Sequence, residues 1–206
     1  MYSISWFASD FQAEDYRKVR NLIALSASDD NLAQLLEPLH QLTEILLDPV
    51  SCRRKQLLAY FDEAFPKESC GACDNCRTRW TTPWSYQDVT VDALNALHLL
   101  SQMCQIKNHP HWTERNLATA IRGERSSKFN DHGVTTLHGF GCQFAQAYGK
   151  NATRSEIIAF LLVLINKKVF TEYKLNNRFI QNEYAQSHVY IKVSCIFSDT
   201  IPSLSG

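Results

Sequence analysis

Cys70-Gly71-Ala72-Cys73-Asp74-Asn75-Cys76 sets three thiols at two-residue gaps, and Cys52 stands 18 positions before the first of them. Four thiolates surround one tetrahedral Zn²⁺ at about 2.3 Å each. A CxxC turn lets two sulfurs converge, and Gly71 eases the chain around the ion. Clustered thiols in a reducing cell hold zinc well, and binding stabilises an otherwise weak loop. Nothing in the pattern supplies an open coordination position, so the expected role is structural. Disulfides are one alternative. They are disfavoured because seven cysteines occur without the basic-then-apolar layout of a signal peptide, which points to a reducing compartment. An iron–sulfur cluster is another, but the ferredoxin run continues with a fourth cysteine and a proline, whereas Arg77-Thr78-Arg79 follows Cys76. Cys104, Cys142 and Cys195 stand singly and read as small core residues.

Upstream of the cluster the pattern is helical. Tyr2 to Phe7 reads as one short strand. Asp10 caps a helix to about Leu25, with Val19, Leu22, Ile23 and Leu25 as its apolar stripe. A second helix runs from Asp29-Asp30 to about Leu47, where Pro38 kinks or splits it. A third covers about 51–64. Residues 66–84 read as loop. Downstream, helices are expected from Thr90 to about Ile106 and over 113–122, then a glycine-bearing loop over 123–141. Thr153-Arg154-Ser155-Glu156 is a capping box that starts a helix running to Lys168. Strands over 170–173 and 179–193, joined through a turn, end the pattern.

The chain has 206 residues, 45% of them apolar, enough for a core and too many for a disordered chain. Its longest apolar run, Ile157 to Ile165, is too short to cross a membrane. No phosphate loop, HExxH, GxSxG or GxGxxG occurs, so nucleotide hydrolysis by these residues alone is not expected. The net charge is zero, which argues against nucleic-acid binding by bulk charge. The charge is nevertheless uneven. Residues 1–88 carry 9 basic and 13 acidic side chains, and residues 89–206 carry 12 and 8. Two domains with different jobs are the natural reading.

Helix, helix, helix, then a hairpin is the order of a winged-helix domain. The fold class expected is therefore mainly α with small β: a helical zinc module followed by an α+β winged helix. Lys150, Thr153, Arg154 and Ser155 gather at one helix start, where backbone N–H groups favour a phosphate. Arg122 and Arg125 lie in a second basic, hydroxyl-rich loop ending at Lys128. The helix from 153 is apolar nearly all round, so backbone contact is expected and not base readout. The alternative is that Lys150 and Arg154 are solvated surface. Tyr184 falls between two alternating segments, 178–181 and 188–193. It is either a stacking wedge at a wing tip or a ring folded back onto its own strands.

Cys-Arg-Arg-x-x-Leu-Leu-x-Tyr-Phe, from Cys52 to Phe61, followed by Cys70-x-x-Cys73-Asp74-Asn75-Cys76, resembles the zinc-binding segment of RecQ DNA helicases, above all their Bloom syndrome branch. Ile121-Arg122-Gly123, Gly139-Phe140-Gly141, Ser155 to Phe170 and the hairpin resemble that family's winged-helix (RQC) domain. The resemblance implies residues 1–25 as the trailing edge of a motor lobe, 26–80 as a helical four-cysteine zinc module and 81–88 as a linker. It implies 89–197 as the winged helix and 198–206 as a frayed tail. By the same resemblance Cys52, Cys70, Cys73 and Cys76 hold one structural Zn²⁺, Arg122 sits in a phosphate-contacting loop, and Tyr184 lies near a strand-separating pin. The family couples ATP hydrolysis to 3′–5′ unwinding in DNA repair, recombination and replication, and the eukaryotic branch is nuclear. ATP and Mg²⁺ would belong to the full-length helicase. The expected partners are duplex, fork or junction DNA, a helicase motor in cis or other repair proteins, and no membrane. The alternative reading is a zinc-braced winged-helix adaptor for protein partners.

Overall fold

The computed structural model describes residues 13–28, 30–78, 88–107, 111–142, 152–174 and 189–194. The elements, in order, are α1 (Ala13–Ser26), α2 (Leu32–Leu47), α3 (Arg53–Tyr60), α4 (Asp74–Thr78), α5 (Thr90–Gln105), α6 (Glu114–Ile121) and α7 (Ser127–Asp131). A short 3₁₀ turn (Val134–Thr136), α8 (Arg154–Asn166), β1 (Phe170–Lys174) and β2 (Val189–Val193) follow. The fold is mainly helical with one small antiparallel sheet, as the sequence led us to expect. The strand expected near residues 2–7, the Asp10 cap, the segment 178–181, Cys195 and the tail from 198 lie outside the described residues.

Side-chain oxygens mark the starts of several helices in the second half. The Asp88 carboxylate accepts from Thr90 N at 2.9 Å before α5. Thr113 and Asn116 cap α6 reciprocally, and Thr153 and Glu156 do the same for α8. Lys168, at φ 59°, turns the chain out of α8, and Val169 N–H donates back to Leu164 O at 2.9 Å. β1 follows at once. It pairs with β2 so that Phe170 faces Val193 and Lys174 faces Val189. Ile191 N–H donates to Trp112 O at 2.9 Å, which draws the segment before α6 alongside the hairpin. Gly123 and Gly141 cross closely. A Cβ on Gly123 would lie 3.1 Å from Gly141 Cα, so the α6–α7 loop requires glycine there.

Within the described residues one continuous apolar core joins the two halves of opposite charge. It runs from Leu36 and Leu39 of α2 through Ile157, Leu161 and Leu164 of α8 to Leu100, Met103, Trp112 and Ile191. Lys167 and Lys168 reach Glu44 and Glu37 of α2 at 3.0 Å each across the α2–α8 seam. Pro38 sits inside α2 without splitting it.

Three local expectations are corrected. The stripe Val19, Leu22 and Leu25 faces outward, at 44%, 65% and 51% exposure, and α1 instead buries Tyr16, Arg20 and Ala24. The reason is that two carboxylates wait inside for Arg20. Residues 74–78 are a helical turn within the expected loop, because Cys76 N–H caps onto Cys73 Sγ at 3.4 Å and Arg77 N–H onto Cys73 O at 2.9 Å. The stretch 123–141 holds α7 and the 3₁₀ turn, the former capped by Ser126.

Candidate metal centre and nucleic-acid interface

The chain leaves α2 at Asp48, whose Oδ1 accepts from Val50 N at 2.8 Å and Ser51 N at 3.1 Å. That tight turn delivers Cys52 to the start of α3. On the other side Gly71, at φ 67°, bends the chain so that Cys70 and Cys73 converge. The ligand atoms of Cys52, Cys70, Cys73 and Cys76 all lie within 4.8 Å of one another. Cys70 and Cys76 Sγ are 3.9 Å apart. Tetrahedral Zn–S bonds near 2.3 Å require sulfurs about 3.8 Å apart, so the donor set fits one Zn²⁺ in type, number and spacing. All six described cysteines outside position 195 are free thiols, which sets the disulfide alternative aside for them.

The thiols sit in different fields. Ala72 and Cys73 N–H groups donate to Cys70 Sγ at 3.4 and 3.3 Å and hold its pKa down. The Ser69 hydroxyl lowers Cys76 to about 6, while burial pushes Cys73 up to about 11. A metal ion would hold all four as thiolates.

Around the sulfurs lies a polar frame that sequence reasoning did not single out. Asn75 is buried, and its Nδ2 donates to both Asp48 O and Ser51 O at 2.8 Å, joining the Cys52 turn to α4. Arg53 Nε lies 2.9 Å from each oxygen of Asp74 and its Nη1 donates to Ile45 O. Gln56 Nε2 donates to Asp48 Oδ2 at 2.6 Å. Asn75 and Asp74 stand between two cysteines of the motif, and that position was the available signal. Cys104 and Cys142 pack half-buried against the core, as expected.

The basic residues fare unevenly. Arg122 and Arg154 come together, from the α6–α7 loop and the α8 start, on one carboxylate. Arg122 Nε lies 2.5 Å from Glu124 Oε1, its Nη1 donates to Ala152 O at 2.8 Å, and Arg154 pairs with Glu124 Oε2. Burial works against the ionised Glu124, but the two arginines hold it below the usual carboxylate range. Arg122 and Arg154 side chains remain 33% and 38% exposed. Thr153 is exposed, but its hydroxyl is committed to Glu156. Arg125 and Ser155 are exposed. Lys150 and Tyr184 lie outside the described residues.

The family model described as RecQ zinc-binding matches residues 13–77. Those residues are a RecQ zinc-binding domain. The domain so matched runs from α1 through α4 and includes all four cysteines and Asn75. It takes in α1, the helix expected to trail from a motor lobe. Over 196 residues the chain is 28% identical to the ATP-dependent helicase SGS1 of Saccharomyces cerevisiae, covering 92% of this chain and 12% of that protein. Over 141 residues it is 32% identical to the ATP-dependent DNA helicase hus2/rqh1 of Schizosaccharomyces pombe, covering 68% of this chain and 10% of that protein. The chain thus corresponds to about a tenth of each relative. The RecQ domain holds one structural zinc, and the clustered thiols of Cys52, Cys70, Cys73 and Cys76 are a donor set that fits it.

Proposed function

We propose that this chain is the zinc-binding and winged-helix region of a RecQ-type ATP-dependent 3′–5′ DNA helicase, acting in the nucleus and binding duplex or fork DNA. The observation that carries this reading is the RecQ zinc-binding domain, followed by the helices α5 to α8 and then the antiparallel β1–β2 pair, the helices-then-strands order of a winged helix. In this reading the trailing edge of the motor lobe gives way to the zinc module where the matched domain begins, at residue 13, 81–88 link, and 89–197 form the winged helix. Arg122, Arg125, Lys150 and Arg154 meet backbone phosphates with the Thr153–Ser155 helix start, and Tyr184 stands at the separating pin. ATP and Mg²⁺ act at the motor, which these residues do not supply.

One observation favours a second reading, the protein-binding adaptor. Arg122 and Arg154 already share Glu124, which discounts two of the expected phosphate contacts. Salt dependence separates the two. Anisotropy with labelled fork DNA should show affinity falling steeply between low and moderate salt, and Arg122→Ala with Arg154→Ala should weaken all sequences alike and flatten the slope. Binding absent at low salt, or lost for one sequence only, would reject the backbone-contact reading.

A further inference from the structure

A cleft of about 530 Å³ lies where α1 of the zinc-binding domain meets the second half of the chain. Ligand sites typically enclose roughly 300–1,000 Å³. Four cations line it, Arg17, Arg20, Arg115 and Lys128, against one carboxylate, Glu114. Arg20 holds both Glu114 oxygens, at 2.8 and 3.1 Å, so that acid is already neutralised. Among the described residues neither Arg115 nor Lys128 has a carboxylate partner. Arg115 is exposed. Lys128 is half-buried with its ammonium 4.8 Å over the Trp112 ring, and burial lowers its pKa. A partly desolvated cation gains from an anion placed beside it.

The cleft offers more than charge. Arg20 Nε and Asn21 Oδ1 are buried and have no hydrogen-bond partner among the described residues. Both residues line the cleft, so its lining is polar as well as cationic. The opposite wall is aromatic, with the Tyr190 and His111 rings 5.3 Å apart. The α6 start opens here, but Thr113 and Asn116 already cap it, so side chains make the site. Cations beside aromatic rings match a nucleotide, which brings phosphate oxygens and a π-face. A phosphorylated side chain would use the cations alone.

We propose that this cleft takes a nucleotide of a single DNA strand, with Arg17 and Arg115 on its phosphates and Tyr190 against its base. The proposal rests on the DNA-binding reading above and extends it from the α8 start to the seam with the zinc-binding domain. Labelled oligo-dT and the full chain test it. Arg17→Ala with Arg115→Ala should weaken oligo-dT roughly tenfold and lower the salt slope by about 1.4, at about 0.7 per single-strand phosphate. Iodouracil-substituted oligo-dT should photocross-link to the peptide carrying Tyr190. If the double variant melts early, Arg115→Glu alone, at an exposed position, should give the same direction of effect. Unchanged oligo-dT affinity beside fork binding that still depends on Arg122 and Arg154 would reject the cleft and keep the DNA reading. No DNA binding of any kind would reject both. A phosphoserine peptide that binds the cleft where oligo-dT does not would overturn the nucleotide assignment.

Discussion

At the scale of single residues, the metal centre depends on an amide as much as on thiols. Asn75, on α4 between two of the later cysteines, donates to two backbone carbonyls of the turn that leads into Cys52. Replacing it with alanine leaves all four ligands in place but removes the donor from two carbonyls, so only the exposed Arg53–Asp74 pair still ties the Cys52 segment to α4 by side chains among the described residues. Loss of such an outer partner typically lowers metal affinity 10–100-fold. Asn75→Ala should therefore still bind one zinc per chain, yet release it to a competing chelator at a 10–100-fold lower chelator concentration. Cys73→Ser, by contrast, should lower the zinc content itself. Equal chelator resistance in Asn75→Ala and the unaltered chain would show that the thiols alone set the geometry.

At the scale of elements, the zinc-binding lobe and the rest of the chain are held by different forces. Among residues 48–78 only Cys52, Asn75 and Cys76 are buried, and α3 buries nothing. Leu57 and Phe61, at 47% and 63% exposure, add little apolar stabilisation. The lobe therefore lacks a core, and metal binding must stabilise it. Chelation should make the amides of 53–78 exchange quickly while those of α5, α6 and α8 stay protected, a local opening below the global one. Simultaneous loss of protection throughout would contradict this. The same contrast explains what was legible in the sequence. The thiol spacing, the Thr153–Glu156 box and the apolar α8 are local signals, and each appears in the structure as read. The orientation of α1 was not legible, because an apolar stripe of Val19, Leu22 and Leu25 reads as a buried face unless the carboxylates that draw Arg20 inward are known. Those acids come from positions 114 and 172, far along the chain. The turn of helix at α4 was hidden for a related reason, since a cysteine sulfur, that of Cys73, caps it.

At the scale of the whole molecule, that same arginine ties the zinc-binding domain to the remainder. Arg20 is 1% exposed. It bridges Glu114 at the start of α6 and Glu172 of β1, the latter at 3.2 Å. Glu172 also receives Tyr16 Oη at 3.2 Å and lies 2.7 Å from His40 Nε2 of α2. Four elements thus meet on two buried carboxylates. Burial alone would raise the Glu172 pKa, but His40 and Arg20 hold it below its ordinary 4.5. A folded-state carboxyl lowered in this way stabilises above its unfolded pKa, and that stability is lost as pH falls through the folded value. Arg20→Met removes the cation and leaves two buried acids facing each other, a change that typically costs 3–5 kcal/mol. The sign of the pH dependence should then reverse for Glu172. Without Arg20 its folded pKa rises, so the folded state takes up a proton there more readily than the unfolded one, and acid now relieves the defect. Urea unfolding should show the cost of Arg20→Met at its largest at pH 7 and much reduced near pH 4. A cost that stays constant between the two would mean that Glu172 does not depend on Arg20 for its charge, and that apolar packing, not this buried pair, holds the seam.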